Sequence, residues 1–217
     1  MYSFLTWLFR SIFTKFPSQQ PLLDYKLKEA GLEAVLGKMH DIVYHAIIPY
    51  YVGGALDIYA FPNHVMGTGL VSMELLQPDG SGPAPNSDGT YELIMFTKHK
   101  VDNMESMESP FGQMVLRCRA IMTNTAFYSA ASGDYAAVLN SNDTSTIPIA
   151  EDKYAYCFFH KYADFSVGER KHHLLLIMEV FESEMEFAQQ EGTEKLLSKL
   201  KEKDYYPYSD LDRQSVV

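Results

Sequence analysis

Basic residues are scarce in this chain: 18 Lys and Arg stand against 28 Asp and Glu, for a formal net charge of −10. A protein that grips nucleic acid through its phosphates needs the opposite balance, so general nucleic-acid binding is excluded and a basic protein is the easier electrostatic match. Cysteine is scarcer still. Cys118 and Cys157 lie far apart without CxxC spacing, which fits neither a disulfide framework nor a zinc site and predicts two buried, reduced thiols. Long apolar runs are missing as well. The N-terminal MYSFLTWLFRSIFTKF is interrupted by Arg10 and Lys15, is too short to span a bilayer, and has no Lys or Arg ahead of its apolar stretch as a signal peptide would. A cytoplasmic protein is the expectation.

Sequence signatures of catalysis are also absent. There is no HExxH, no GxSxG, no GxxxxGK[ST] and no GxGxxG, and the GTG at residues 67–69 precedes a strand, the wrong order for a phosphate-cradling loop. The seven histidines form no metal-ligand spacing, and His172 and His173, adjacent on a strand, point to opposite faces. No catalytic residue, metal or cofactor is expected, and the chain is read as non-enzymatic. The alternative left open is a scattered site in which Cys118 or Cys157 meets a histidine in space.

What is present is a large apolar fraction, 47%, enough for a substantial core. Leu5, Leu8, Phe9, Ile12, Phe13 and Phe16 recur at steps of three and four, so residues 1–20 form an amphipathic helical segment that must cover its stripe. Packing on its own domain, a membrane-surface contact through residues 4–16 and an oligomer contact all remain open for it. Asp24 is placed to cap a helix ending at Gly37, with Leu27, Ala30 and Ala34 inward and Leu32 and Val35 beside them.

Strands are expected over residues 39–48, 56–61, 68–76 and 91–97. In the second, Leu56, Ile58 and Ala60 share one face and Asp57, Tyr59 and Phe61 the other. QPDGSGPAPNSDG between the last two is a surface loop by its turn chemistry. Pro110 opens a helix whose inward stripe is Phe111, Met114, Val115, Cys118, Ile121 and Met122. A weaker strand lies within residues 134–149, and further strands span 154–160 and 172–180, the latter central and covered on both faces because of its LLLIM run. With no repeat or linker, this is one α+β domain: a mixed, largely antiparallel sheet flanked by helices.

The C-terminal block passes from strand to helix at residues 181–183. Ser183 and Glu186 have capping-box spacing, and Met185, Ala188, Gly192, Leu196 and Leu200 trace a stripe on one helix, where Gly192 implies close backbone approach to a neighbour. The outer face of that helix and the tail after it supply candidate partner-binding residues: the acids Glu184, Glu191 and Glu194, and the aromatics Tyr205, Tyr206 and Tyr208.

In order of elements and in several residues the chain resembles the Suppressor-of-fused family, bacterial type, over residues 24–217. Glu182, Glu184, Ala188, Gly192, Leu196, Leu197 and Leu200 match its pattern ExExxxAxxxGxxxLLxxL, and Asp210, Arg213, Ser215 and Val216 match its tail DxxRxSV. Upstream, DIYAFP, a segment near TGLVSMEL, the turn-rich loop and YEL follow in the family's order, although Phe181 stands where the family has proline. The resemblance implies a protein-binding module. Animal members restrain transcription factors, whereas the short bacterial members are thought to be immunity proteins, so toxin neutralisation with a basic toxin domain as partner is the expectation. Oligomeric state is left unknown.

Overall fold

The structure is a computed structural model and describes residues 19–79, 82–101, 108–130 and 138–217. The amphipathic segment expected over residues 1–20 lies almost wholly outside them. Two helical layers sandwich a seven-stranded sheet. In chain order the elements are helix α1 (Gln19–Leu36), strand β1 (Val43–Tyr44), a 3-10 turn (Tyr50–Val52), β2 (Ile58–Phe61), β3 (Thr68–Val71), β4 (Tyr91–Thr97), α2 (Pro110–Ala130), β5 (Thr144–Ala150), β6 (Lys153–Val167), β7 (Arg170–Val180), α3 (Glu182–Glu191) and α4 (Thr193–Glu202). No helix among the described residues is long and apolar enough to cross a membrane.

The sheet order is β1-β2-β3-β4-β7-β6-β5. Every neighbouring pair is antiparallel except β4 with β7, which run parallel where the chain returns from its excursion through α2, β5 and β6. The fold is therefore α+β with a mixed, mainly antiparallel sheet.

Period-two alternation decides which layer each side chain joins. Leu56, Ile58 and Ala60, with Tyr91, Leu93 and Met95 of β4 and Leu175 and Ile177 of β7, face α2 and its stripe of Phe111, Val115, Cys118, Ile121 and Met122. Tyr59 and Phe61, with Ile94 and Phe96 of β4 and Leu174, Leu176 and Met178 of β7, face α1, α3 and α4. Strand β7 is thus covered on both sides, as its unbroken apolar run predicts.

Several expectations are corrected. The run over residues 39–48 forms only a two-residue strand, and the third strand stops at Val71 rather than reaching Leu76. Helix α1 begins at Gln19, so Asp24 lies inside it instead of capping it. Its buried stripe is Asp24, Lys28, Leu32 and Leu36, whereas Leu27, Ala30 and Ala34 are exposed. The helix is turned because the two charged residues of its buried stripe find partners inside: Asp24 pairs with Arg170, and Lys28 with Glu92.

The C-terminal helix is two helices. Gly192 has φ of +100°, a conformation L side chains rarely adopt, and an added Cβ there would meet nothing within 4 Å. It bends the chain between α3 and α4 rather than admitting a neighbour. Close approach occurs instead at Gly31, where an added Cβ would lie 1.9 Å from the Ser166 carbonyl oxygen of β6. Nor is Ser183 the cap of α3. The Phe181 N–H donates to the Glu184 carboxylate at 3.0 Å, so the acid one turn into the helix reaches back to its start.

A candidate partner-binding groove

Helix α1 crosses the sheet so that Tyr25 and Lys28 face the 3-10 turn at Tyr50–Val52 and the loop that follows β3. Between them lies a groove of about 240 Å³ lined by Asp24, Tyr25, Lys28, Tyr50, Tyr51 and Glu74, among others. Its floor is polar but internally satisfied. Lys28 Nζ donates to the carbonyls of Met73 and Leu76, each at 2.6 Å, and to Glu92 at 3.1 Å. Glu92 in turn accepts from the Ser72 hydroxyl at 2.7 Å and the Leu76 N–H at 3.0 Å. This cluster fixes the path of the loop after β3, because every carbonyl and carboxylate it holds would otherwise be buried unpaired.

The rim is different. Glu74 accepts from the Asp57 N–H at 2.7 Å, joins no ion pair among the described residues, and has its carboxyl pushed up by burial. Burial also pushes the Tyr50 phenol up to about 12, with Glu74 and Glu92 adding to it. Beside Glu74 stands an apolar turn that no described residue covers: Ile48 is 58% exposed, Tyr51 81% and Val52 61%, and Ile47 is fully exposed. Tyr50 is anchored, its ring 5.0 Å from that of Phe127 on α2. An apolar rim around an unneutralised carboxylate is suited to a partner offering apolar side chains with a cation among them.

The six residues expected to bind a partner are not brought together as one surface. Glu184 is fully buried. Arg213 embraces it at 2.6 and 2.7 Å, and the Val216 and Phe181 N–H groups donate to it at 3.0 Å each, so it ties the tail to α3 and offers nothing to solvent. Glu191 and Glu194 are exposed, the former paired with Lys195 at 2.6 Å. Tyr205, Tyr206 and Tyr208 are half-buried beneath cations: Lys98 lies over Tyr205 and Tyr208, Arg213 over Tyr205 and Lys201 over Tyr206. Sequence reasoning missed the groove, although the run IIPYYV carried a readable signal: five apolar residues around a proline, running on past the end of the strand expected over residues 39–48.

The remaining motif residues secure the tail. Asp210 accepts from the Thr97 hydroxyl at 2.7 Å and the Lys98 N–H at 2.9 Å, and the Ser209 N–H donates to Phe96 at 2.8 Å, while Glu179 donates its N–H to the Ser209 hydroxyl at 3.1 Å. The tail therefore fills the gap where β4 and β7 part. Cys118 and Cys157 are fully buried, and burial together with the nearby Glu179 charge holds both thiols well above their ordinary range. Neither is a competent nucleophile as placed. Among the described residues no group of three or more His, Cys, Asp or Glu is arranged to hold a metal ion.

A search of curated proteins returns no match. Among solved structures, one described as the Sufu-Fu complex crystal structure is similar over 91% of this chain and 93% of that chain, with a TM-score of 0.53 and 17% sequence identity. That similarity extends to the fold. The family model described as Suppressor of fused protein (SUFU) matches residues 53–214, from the glycine that follows the apolar turn through the arginine of the tail. With six of the seven strands, β2 to β7, and the C-terminal helix pair falling in that span, which is about three quarters of its length, the chain belongs to the Suppressor of fused family.

Proposed function

We propose that this chain is a non-enzymatic protein-binding module, and that the groove between α1 and the Tyr50–Val52 turn is where its partner docks. One observation carries the reading: an apolar turn uncovered among the described residues, including Tyr51 at 81% exposure, stands beside Glu74, a half-buried carboxylate that forms no ion pair with any described residue. Tyrosine offers a large contact at low conformational cost, and a cation meeting Glu74 would relieve its burial. The similar Sufu chain was solved in a complex with Fu, which supports protein binding for the family.

The finer reading is an immunity protein that neutralises a basic toxin. The net charge of −10 supports it, since such a chain attracts a basic domain at long range. The outer face bearing Glu191 and Glu194 is a second candidate surface for the same partner, with Tyr205, Tyr206 and Tyr208 beside it.

Affinity capture with the full chain, compared with Tyr51→Asp/Glu74→Lys and with Glu191→Lys/Glu194→Lys, tests both surfaces. The groove variant is expected to lose the partner and the helix variant to keep it. The reverse result would move the site to the helix face, and equal capture by all three would end both assignments. Rescue of growth when the chain is co-produced with the captured protein tests neutralisation; no rescue from a toxic partner would remove the immunity reading and leave the binding reading standing.

A further inference from the structure

The groove between α1 and the Tyr50–Val52 turn is small for a cofactor and suited to one side chain. Its volume of about 240 Å³ falls below the roughly 300–1,000 Å³ of small-molecule pockets. Three of the residues that line it are tyrosines: Tyr25, Tyr50 and Tyr51. Two of these rings are held from behind. Tyr25 lies against Tyr59 with ring centroids 6.1 Å apart, and Tyr50 against Phe127 at 5.0 Å. Tyr51 is 81% exposed and packs on no other ring among the described residues. The groove therefore has two preformed aromatic walls and one ring free to close on what enters.

Electrostatics selects the charge of the occupant. Lys28 uses its three donors on the Met73 and Leu76 carbonyls and on Glu92, and Asp24 is paired with Arg170, so these charges cancel within the fold. Glu74 is left over. Its Oε2 accepts the Asp57 N–H at 2.7 Å, its Oε1 accepts from no described residue, and burial pushes its carboxyl up. An uncharged occupant would bury that carboxylate further without a partner. A lysine ammonium is strongly hydrated and would surrender its water for one free acceptor. A guanidinium is more weakly hydrated, stacks flat on tyrosine rings, and can point its remaining donors out of the open side of the groove.

We propose that the groove is an arginine slot: an arginine of the partner stacks its guanidinium against Tyr25, Tyr50 and Tyr51 and donates to Glu74 Oε1, while apolar neighbours of that arginine lie on Ile48 and Val52. As a statement about the partner this rests on the docking site proposed above. The preference of the slot for arginine does not, and it is measurable without any natural partner.

The probe is acetyl-Leu-Arg-Leu-amide, titrated into the full chain and followed by amide chemical shifts in NMR spectra. Citrulline has the shape of arginine without its charge. The arginine peptide is expected to bind about tenfold more tightly than the same peptide with citrulline, the scale of a cation–aromatic contact together with a charge-assisted hydrogen bond, and to shift residues 50–54 and 74–77. The lysine peptide should fall several-fold behind arginine. Glu74→Gln keeps an oxygen for the Asp57 N–H, so the fold should persist, and it is expected to bring the arginine peptide down to the citrulline level. Tyr51→Ala, at an exposed position, should weaken arginine more than citrulline. Equal binding of the arginine and citrulline peptides, an arginine preference that survives Glu74→Gln, shifts centred on Glu191 and Glu194, or no shift at all would overturn the slot. Lysine binding as tightly as arginine would replace it with a general cation site. Failure here is distinct from failure of the docking site. An arginine preference, with affinity capture unaffected by Tyr51→Asp/Glu74→Lys, keeps the slot and removes the docking site; capture lost in that variant without any arginine preference does the opposite.

Discussion

Arg213 holds Glu184 through both terminal nitrogens, at 2.6 and 2.7 Å, with the carboxylate fully buried and the guanidinium between the rings of Phe181 and Tyr205. Two motif residues 29 positions apart thereby become one structural joint. The carboxylate also takes two backbone N–H groups, so removing the arginine leaves a buried charge only partly compensated. Arg213→Ala is expected to lower stability by about 3–5 kcal/mol, the range for breaking a buried ion pair. Urea titration with a probe on the sheet measures it; a loss below about 1 kcal/mol, the scale of an exposed pair, would mean the joint is unimportant.

A second buried pair sets the groove. Lys28→Met is expected to destabilise by about 3–5 kcal/mol, because Glu92 and two carbonyls lose their donor. The double change Lys28→Met/Glu92→Leu should cost less than the sum of the single changes, as expected for groups in direct contact. Strict additivity in the double-mutant cycle would show that the two charges are not coupled.

Helix α1 can lie where it does only if position 31 has no side chain. Gly31→Ala would place a Cβ 1.9 Å from the Ser166 carbonyl oxygen, so the helix must lift from β6. A loss of about 1–3 kcal/mol, the cost of overpacking a tight interface, is expected in thermal or chemical denaturation. An unchanged midpoint would be incompatible with this packing.

Acid should weaken the fold through its histidines. Burial lowers the pKa of His64, His160, His172 and His173 in the folded chain below the ordinary histidine value of about 6.5. The unfolded chain therefore binds protons first, so stability is full above pH 6.5 and falls as pH drops through the lowered folded-state values. Each histidine contributes at most about 1.4 kcal/mol per pH unit to that slope. Denaturation midpoints between pH 7.5 and 5 measure the loss, and His173→Asn, at a fully buried position, is expected to flatten the curve. A flat profile in the unmodified chain would contradict the burial of these rings.

The described structure and the sequence agree most closely where one short-range rule governs. Alternation in β2 sorts Ile58 and Ala60 from Tyr59 and Phe61, and Pro110 with the stripe from Phe111 to Met122 fixes α2, because side-chain direction there follows from the residue's own backbone geometry. The order of elements and the tail motif were also sufficient to identify the family. Of the candidate site, the acids Glu191 and Glu194 are exposed as expected, while Glu184 is interior and the groove went unseen.

Those last outcomes depend on partners remote in sequence. Lys28 is 64 residues from Glu92, and Glu184 is 29 from Arg213; hydropathy read along the chain places such charges in solvent, and only the folded arrangement supplies the opposite charge that lets them be buried. Composition and periodicity thus determined an acidic α+β domain and the layer in which the apolar residues of β2 and α2 lie. Tertiary structure decided which charged residues became internal joints and which apolar turn was left at the surface, because both depend on what long-range packing brings opposite them.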